Sequence, residues 1–335
     1  MTFSPEEPQS PRPPEALLNG MLAGFMESQA LHVAARLAIC DVLRDGSATC
    51  GTIADAVGAH EPSLRRLLRF LVAMGILTED GDGRFAATPL GEPLRSDHPR
   101  SLRTVALLMG APFIWRPWGQ LYEATLTGQP AFDRVYGEPF FAYLGHSPED
   151  AAVFNELMTS STSVPAILGA FDFSGFMKIV DVGGGKGILL RGILERYPHA
   201  TGVLCDLPSV VADAHELNAS AVSARCEIVG GDMFNALPTG GDIYVLKRIV
   251  HDWSDAEAIQ ILRNCRQVIS EHGRILLIER IIDLNDASPD LMMLILVTGR
   301  ERTEKEFRTL LAAASFDVGR IIPAGEHSII EGVPA

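Results

Sequence analysis

Positive charge is scarce in this chain. Its 335 residues include 28 Lys or Arg against 42 Asp or Glu, a formal net charge of −14. The first hundred residues hold nine arginines, no lysine and thirteen acids. A protein that lives on nucleic acid carries a basic face, so this balance argues against that role. Cysteine is sparse too. Cys40, Cys50, Cys205, Cys226 and Cys265 are scattered, odd in number and form no C-x-x-C pair. That excludes a disulfide framework and reads as reduced thiols in a cytoplasmic protein. There is no apolar run of the ~18 residues that a membrane span needs. The first fourteen residues contain five prolines and lack the basic-then-apolar order of a signal peptide, so they read as a disordered tail. Neither an H-E-x-x-H motif nor a cysteine cluster is present, and no metal is called for.

What is present supports a large core, since 47% of the residues are hydrophobic. From Glu15 to about Arg44 apolar residues recur at helical spacing: Leu18, Leu22, Phe25, Met26, then Leu31, Ala34, Ala35 and Ala38. A short helix over Thr52–Val57 is followed by a turn at Gly58. A second helix opens at Glu61-Pro62-Ser63, buries Leu64, Leu67, Leu68, Leu71 and Val72, and ends at Gly75. Residues 75–78 and 84–86 then flank a Glu-Asp-Gly-Asp-Gly turn, a hairpin signal. Helix, turn, helix and hairpin make a winged helix over residues 15–100. Such a unit either reads DNA or serves dimerisation. Arg65, Arg66 and Arg69 could face phosphates, but the surrounding acidity favours a solvated face.

Residues 101–170 read as helices rich in aromatics, among them Phe113, Trp115, Trp118, Tyr122, Phe132, Tyr136, Phe140, Phe141, Tyr143 and Phe154. Most are core, and a few line a flat pocket. From residue 171 strand and helix alternate. Strands are expected at 178–182, 201–205, 225–229, 242–246 and 273–278, with helices at 188–196, 209–219 and 254–270. A last helix, 303–314, precedes two closing strands, 316–322 and 328–330, joined at Pro323-Ala-Gly325. The fold class is α/β: a Rossmann-like, doubly wound, mostly parallel sheet over 171–335 with a C-terminal antiparallel hairpin, beside the mainly helical winged-helix domain.

In such a sheet, ligands bind at the carboxyl ends of the strands. Four motifs fall there. Asp181-Val-Gly-Gly-Gly-Lys-Gly187 follows the first strand. Its glycines read G-x-G-x-G rather than the G-x-G-x-x-G of a pyrophosphate site, and it opens with an acid, which suits a ligand bearing a cationic amino group. Asp206 follows the second strand. It serves either ribose hydroxyls or, before Pro208, a helix N-cap, and its place one strand after Asp181 favours ribose. Gly231-Asp-Met-Phe234 follows the third. Asp232 can take an adenine amino group and Met233 can cover the ring, although a lone Met is more often core. Leu246-Lys-Arg-Ile-Val-His-Asp-Trp-Ser254 follows the fourth and puts His251 at the ligand edge, a candidate general base. Glu279, after the fifth strand, and Glu301, before the last helix, can approach the same edge to orient it. Glu301 reads equally well as a first-turn acid favoured by the helix dipole.

Taken in order, Asp181-Val-Gly-Gly-Gly, Asp206-Leu-Pro, Gly231-Asp-Met-Phe, Leu-Lys247-Arg-Ile-Val-His251-Asp-Trp-Ser-Asp255 and Arg300-Glu301-Arg-Thr-Glu-Lys-Glu-Phe307 resemble the small-molecule O-methyltransferases. That family includes plant caffeate and flavonoid enzymes and bacterial polyketide-tailoring enzymes. The resemblance implies an S-adenosylmethionine-dependent enzyme that methylates a hydroxyl of a small aromatic metabolite and releases S-adenosylhomocysteine. It implies that His251 is the general base, flanked by Glu279 and Glu301. Gly183 and Gly185 would face the methionine part of the cofactor, Asp206 its ribose, and Asp232 and Met233 its adenine, with Lys247 and Trp253 completing that site. Trp115, Asn155, Met158 and Met293 fall where the family lines its acceptor pocket. The winged helix would be a dimerisation domain in a cytoplasmic homodimer with no nucleic-acid or membrane partner, and residues 101–170 a helical linker lining the substrate pocket. The glycine loop departs from the family at Lys186, where Thr or Ser is usual. Two other readings stand beside this one. The first is a relative that binds the cofactor but catalyses hydroxylation, decarboxylation or cyclisation. The second is a metabolite-sensing DNA-binding regulator.

Overall fold

The computed structural model describes residues 13–160, 163–212, 214–282 and 288–335. The expected N-terminal tail lies outside the described residues, apart from Pro13 and Pro14. The chain divides into two compact units, Met1–Pro112 and Phe113–Ala335.

In the first unit a long helix spans Pro14–Arg36, with proline at a first-turn position whose N–H would have no intrahelical partner. The sequence predicts that it runs on to about Arg44. Instead Ala38 adopts a left-handed conformation, φ 53°, and a separate short helix, Ile39–Val42, follows. The break places Ile39 and Cys40 in a core with Ile53, Leu68 and Phe85, and that burial outweighs a backbone cost of about 1–2 kcal/mol. Helices Cys50–Val57 and Glu61–Ala73 are separated by Gly58 at φ 67°. Leu64, Leu68 and Leu71 are buried as expected, while Leu67 and Val72 are half-buried. Strands β1 (Ala48–Thr49), β2 (Leu77–Glu79) and β3 (Arg84–Ala87) form a sheet in the order β1-β3-β2. β2 and β3 are the expected hairpin. Asp80 closes it, its Oδ1 accepting from the N–H groups of Asp82 and Arg84. β1 was not expected, because two residues carry no alternation to read.

The second unit holds a seven-stranded sheet: β4 (Lys178–Val182), β5 (Thr201–Asp206), β6 (Cys226–Gly230), β7 (Ile243–Lys247), β8 (Arg274–Glu279), β9 (Phe316–Ala324) and β10 (His327–Pro334). Their order is β6-β5-β4-β7-β8-β10-β9. All neighbours are parallel except β10, which is antiparallel to both β8 and β9. Alternation along the strands feeds two cores. Val180, Tyr244, Leu246, Ile275, Leu277 and Ile330 meet helices Asp255–Val268 and Glu304–Ala313 on one face. Ile179, Val245, Leu276, Ile278 and Ile329 meet helices Val164–Ala170 and Ile188–Arg196 on the other.

Two expectations need correcting. Pro323 is not in the closing turn but inside β9, an edge strand where the missing N–H breaks no ladder. The turn is the two residues Gly325 and Glu326, with Gly325 at φ 71°. The expected helix over 209–219 is described as two short ones, Pro208–Val211 and His215–Asn218, with residue 213 outside the description. From β4 the chain builds outward through β5 to β6, then returns to the other side of β4 with β7. The strand order therefore reverses between β4 and β7, and the crevice at their carboxyl ends is where an open α/β sheet binds its ligand.

Candidate active site

Two loops meet at that crevice. The loop after β4 is the glycine run. Gly183, Gly185 and Gly187 all have positive φ, 66°, 60° and 77°, which explains why no side chain stands there. A Cβ on Gly183 would come within 2.3 Å of Ile249 Cδ1, whereas one on Gly185 would meet no heavy atom within 4 Å. The loop is thus closed towards β7 and open at Gly185. Asp206, at the end of β5, holds its shape. Its Oδ2 accepts from the Gly185 N–H at 2.8 Å and its Oδ1 from the Leu207 N–H at 2.7 Å. Beneath the loop lies Asp181, fully enclosed. Its Oδ2 has no hydrogen-bond partner among the described residues. Burial and the neighbouring Asp206 charge push its pKa up to about 7, against the pull of Lys247. Lys247, at the end of β7, is half-buried. Burial and the Arg248 charge push it down to about 8, opposed by Asp181 and Glu279.

The loop after β7 carries His251, which is buried, in a single turn of 3₁₀ helix over Val250–Asp252. Its Nδ1 lies 3.2 Å from Glu301 Oε1 and 3.8 Å from Glu279 Oε2. Its Nε2 lies 3.4 Å from Asp252 Oδ1. Burial alone would depress the imidazole. The charges of Asp252 and Glu279 and the Glu301 hydrogen bond overcome it and raise His251 to about 9, with Arg248 opposing. Glu279 is fully buried and also fixes the loop, its Oε1 accepting from the N–H groups of Ile249 at 3.0 Å and Val250 at 2.8 Å. Burial pushes its carboxyl up. The structure brings these three side chains, expected at one edge, together.

The parts that hold this triad in place went unread in the sequence. Arg302, 0% exposed, donates to the carbonyls of Val250 and Trp253, both at 2.7 Å, and to Asp255 Oδ1 at 2.8 Å. It staples the Glu301 segment to the His251 loop. Each segment then enters a helix through a capping box, Ser254 with Glu257 and Thr303 with Glu306. Those two S/T-x-x-E patterns were the available sequence signal. Gly299 lets the chain cross closely, since a Cβ there would fall 2.0 Å from the His251 carbonyl oxygen.

The remaining expected residues sit as follows. Asp232 is exposed and its carboxylate serves its own turn, accepting from the Phe234 N–H at 2.9 Å and Asn235 Nδ2 at 2.8 Å. Met233 is half-buried against the core. Trp253 is half-buried, edge-on to Phe234 at 4.6 Å and stacked on Phe141 at 5.7 Å. Trp115 is half-buried at the end of helix Pro112–Trp115. Asn155 and Met158 are half-buried and one turn apart on helix Pro148–Ser160. Met293 is buried on helix Ser288–Leu296, which packs on helix Ala131–Tyr136. Among the described residues the ion-pair partners of His251 are Glu301, Glu279 and Asp252. Lys186 is half-buried in the glycine loop.

Comparison with known proteins decides the family. Residues 118–317 match the model of the O-methyltransferase domain and residues 20–97 that of the O-methyltransferase dimerisation domain. The chain belongs to the O-methyltransferase family. It is 39% identical over 331 residues to a phenazine O-methyltransferase of Lysobacter antibioticus, covering 96% of this chain and 97% of that one. It is 35% identical to a phenazine-1-carboxylate N-methyltransferase of Pseudomonas aeruginosa, covering 90% and 92%. Its fold matches the crystal structure of an O-methyltransferase from neocarzinostatin biosynthesis, solved with S-adenosylmethionine and 2-hydroxy-5-methyl naphthoic acid. The TM-score is 0.87 at 35% identity, over 94% of this chain and 98% of that one. The protein is therefore an S-adenosylmethionine-dependent methyltransferase. Its site fits that cofactor on its own terms. The glycine loop is open at Gly185, and the buried Asp181 carboxyl has an oxygen without a partner, a donor set that favours a cationic ligand.

Proposed function

We propose that this enzyme transfers a methyl group to a hydroxyl of a small aromatic metabolite, with His251 as general base. The observation that carries the reading is the pairing of His251 Nδ1 with Glu301 Oε1 at 3.2 Å, backed by Glu279 Oε2 at 3.8 Å. Carboxylates on one side of the ring hold the proton on Nδ1 and leave Nε2 to accept from the acceptor. Bound S-adenosylmethionine supplies an electrophilic methyl group on a sulfonium. Gly183 and Gly185 cradle its methionine part, Asp206 accepts from its ribose hydroxyls, Asp232 and Met233 meet its adenine, and Lys247 and Trp253 complete that site. Trp115, Asn155, Met158 and Met293 line the acceptor pocket among the helices of the second unit. Aromatic compounds are named for the relatives above, and Phe141 and Tyr143, the half-buried rings packed on the buried Phe113, Phe132 and Phe140, are the ones of that cluster that can offer a flat apolar wall to such an acceptor.

A phenol of pKa near ~10 is mostly protonated at neutral pH. As its oxygen attacks the methyl carbon, His251 Nε2 takes the proton, and Glu279 and Glu301 stabilise the imidazolium. Alignment and exclusion of water supply most of the rate, and the base typically adds about 10²–10⁴-fold. The winged-helix unit joins two copies into a cytoplasmic homodimer.

The test is mass spectrometry of phenols and hydroxyquinones incubated with the protein and methyl-labelled S-adenosylmethionine. One label on oxygen supports the reading. Product without label would mean another chemistry.

A further inference from the structure

The mechanism above uses two carboxylates, yet His251 has three. Asp252 Oδ1 lies 3.4 Å from Nε2, the nitrogen that must be free to act as the base. The other two face Nδ1. In the ligand-free enzyme both ring nitrogens therefore face a carboxylate, an arrangement that favours the doubly protonated ring. The three acids also differ in their access to water. The Asp252 side chain is 16% exposed, against 4% for Glu301 and 0% for Glu279. The 3₁₀ turn of Val250–Asp252 puts the carboxylate beside the ring of the preceding residue, held by the N–H of Asp252 donating to the Ile249 carbonyl at 3.1 Å.

We propose that Asp252 is a positioning residue of the base: its charge, 3.4 Å from Nε2, keeps that nitrogen of His251 protonated until the acceptor hydroxyl takes that place. The inference rests on His251 being the base. The proton balance is simple. Displacement of Asp252 by the acceptor and loss of one proton to water leave Nε2 with a lone pair. Methyl transfer then forms the C–O bond as the sulfonium C–S bond breaks and its electron pair stays with S-adenosylhomocysteine, while the O–H proton passes to Nε2. Departure of the methylated product leaves that N–H beside Asp252 Oδ1 again. The charged groups around the ring are Asp252 and Arg248 on its own loop, Glu279 on β8 and Glu301 before the last helix. His327, at the start of β10, also feels its charge. Asp252 is the one of these that touches Nε2.

The experiment is the pH profile of kcat/KM for Asp252→Asn and Asp252→Glu beside the unsubstituted enzyme, with affinity for S-adenosylhomocysteine measured in each. The acid limb reports the protonation of His251 in the free enzyme. Removing the Asp252 charge should move that limb to lower pH by about one unit or more, the contribution typical of an opposite charge at this range. Asp252→Glu should move it back towards the original position, with cofactor affinity unchanged throughout. A limb that stays put while only the acceptor KM rises would make Asp252 an acceptor contact and overturn the proposal. A second measurement needs no Asp252 variant. Ring ¹⁵N shifts of His251, assigned against His251→Gln, should show both nitrogens protonated at pH 7 without ligands. A neutral ring with bare Nε2 would overturn the proposal too. If His251→Ala keeps its activity, the underlying reading fails instead, and that result is separate.

Discussion

Asp181 shows how one buried side chain can tie ligand binding to pH. Its carboxyl sits under the glycine loop with one oxygen unpartnered and its pKa raised to about 7 by burial and Asp206. At neutral pH it is partly protonated. A cationic ligand above it favours the carboxylate, so cofactor binding should release a proton and tighten as pH rises through 7. Calorimetry in buffers of different ionisation enthalpy measures that proton directly, and Asp181→Asn should abolish its pH dependence. An unchanged proton count in Asp181→Asn would place the release elsewhere. The acid itself was legible as the opening of a glycine motif. Its unpartnered oxygen was not, because burial is a property of the assembled sheet. Asp252 was overlooked for a similar reason. Beside a histidine it reads as an ordinary polar neighbour until the 3₁₀ turn sets it against Nε2.

Between elements, the decisive contacts are those that join the His251 loop to the Glu301 segment. Arg302 supplies them from full burial, through two backbone carbonyls and Asp255. Arg302→Leu would remove the buried donor from both carbonyls, leaving Val250 with only the Trp253 N–H at 3.4 Å, and is expected to cost about 3 kcal/mol in chemical denaturation. It should also lower kcat more than cofactor affinity, because Glu301 loses its fixed distance from His251. Equal loss of both would mean a general loosening. The parallel strands were read to within a residue or so, since βαβ alternation and glycine punctuation are local signals. The break at Ala38, the two-residue β1 and the extension of β9 past Pro323 were missed. Each is decided by packing or by position in the sheet rather than by the local sequence. The aromatic-rich helices of 113–170 were legible as helices. Which of their rings touch Trp253 is a tertiary fact.

Taken as a molecule, the described residues leave an apolar stripe uncovered on the first helix. Leu18, Met21, Leu22 and Phe25 on helix Pro14–Arg36 are each more than half exposed, while Ala34 and Ala35 further along are buried. Part of this helix lies within the matched dimerisation domain. A second copy covering the stripe accounts for its composition. Light scattering should therefore find a dimer, and Leu22→Glu with Phe25→Glu should shift it to monomer. A monomer without substitution would contradict this. Among the described residues no helix is long and apolar enough to cross a membrane.

The central claim is the role of His251, and single-turnover transfer of a labelled methyl group tests it most directly. Enzyme saturated with S-adenosylmethionine and acceptor is compared with His251→Ala. The account predicts that transfer slows by about 10²–10⁴-fold with cofactor affinity unchanged. Transfer within a few-fold of the original rate would contradict it and leave alignment alone as the source of catalysis.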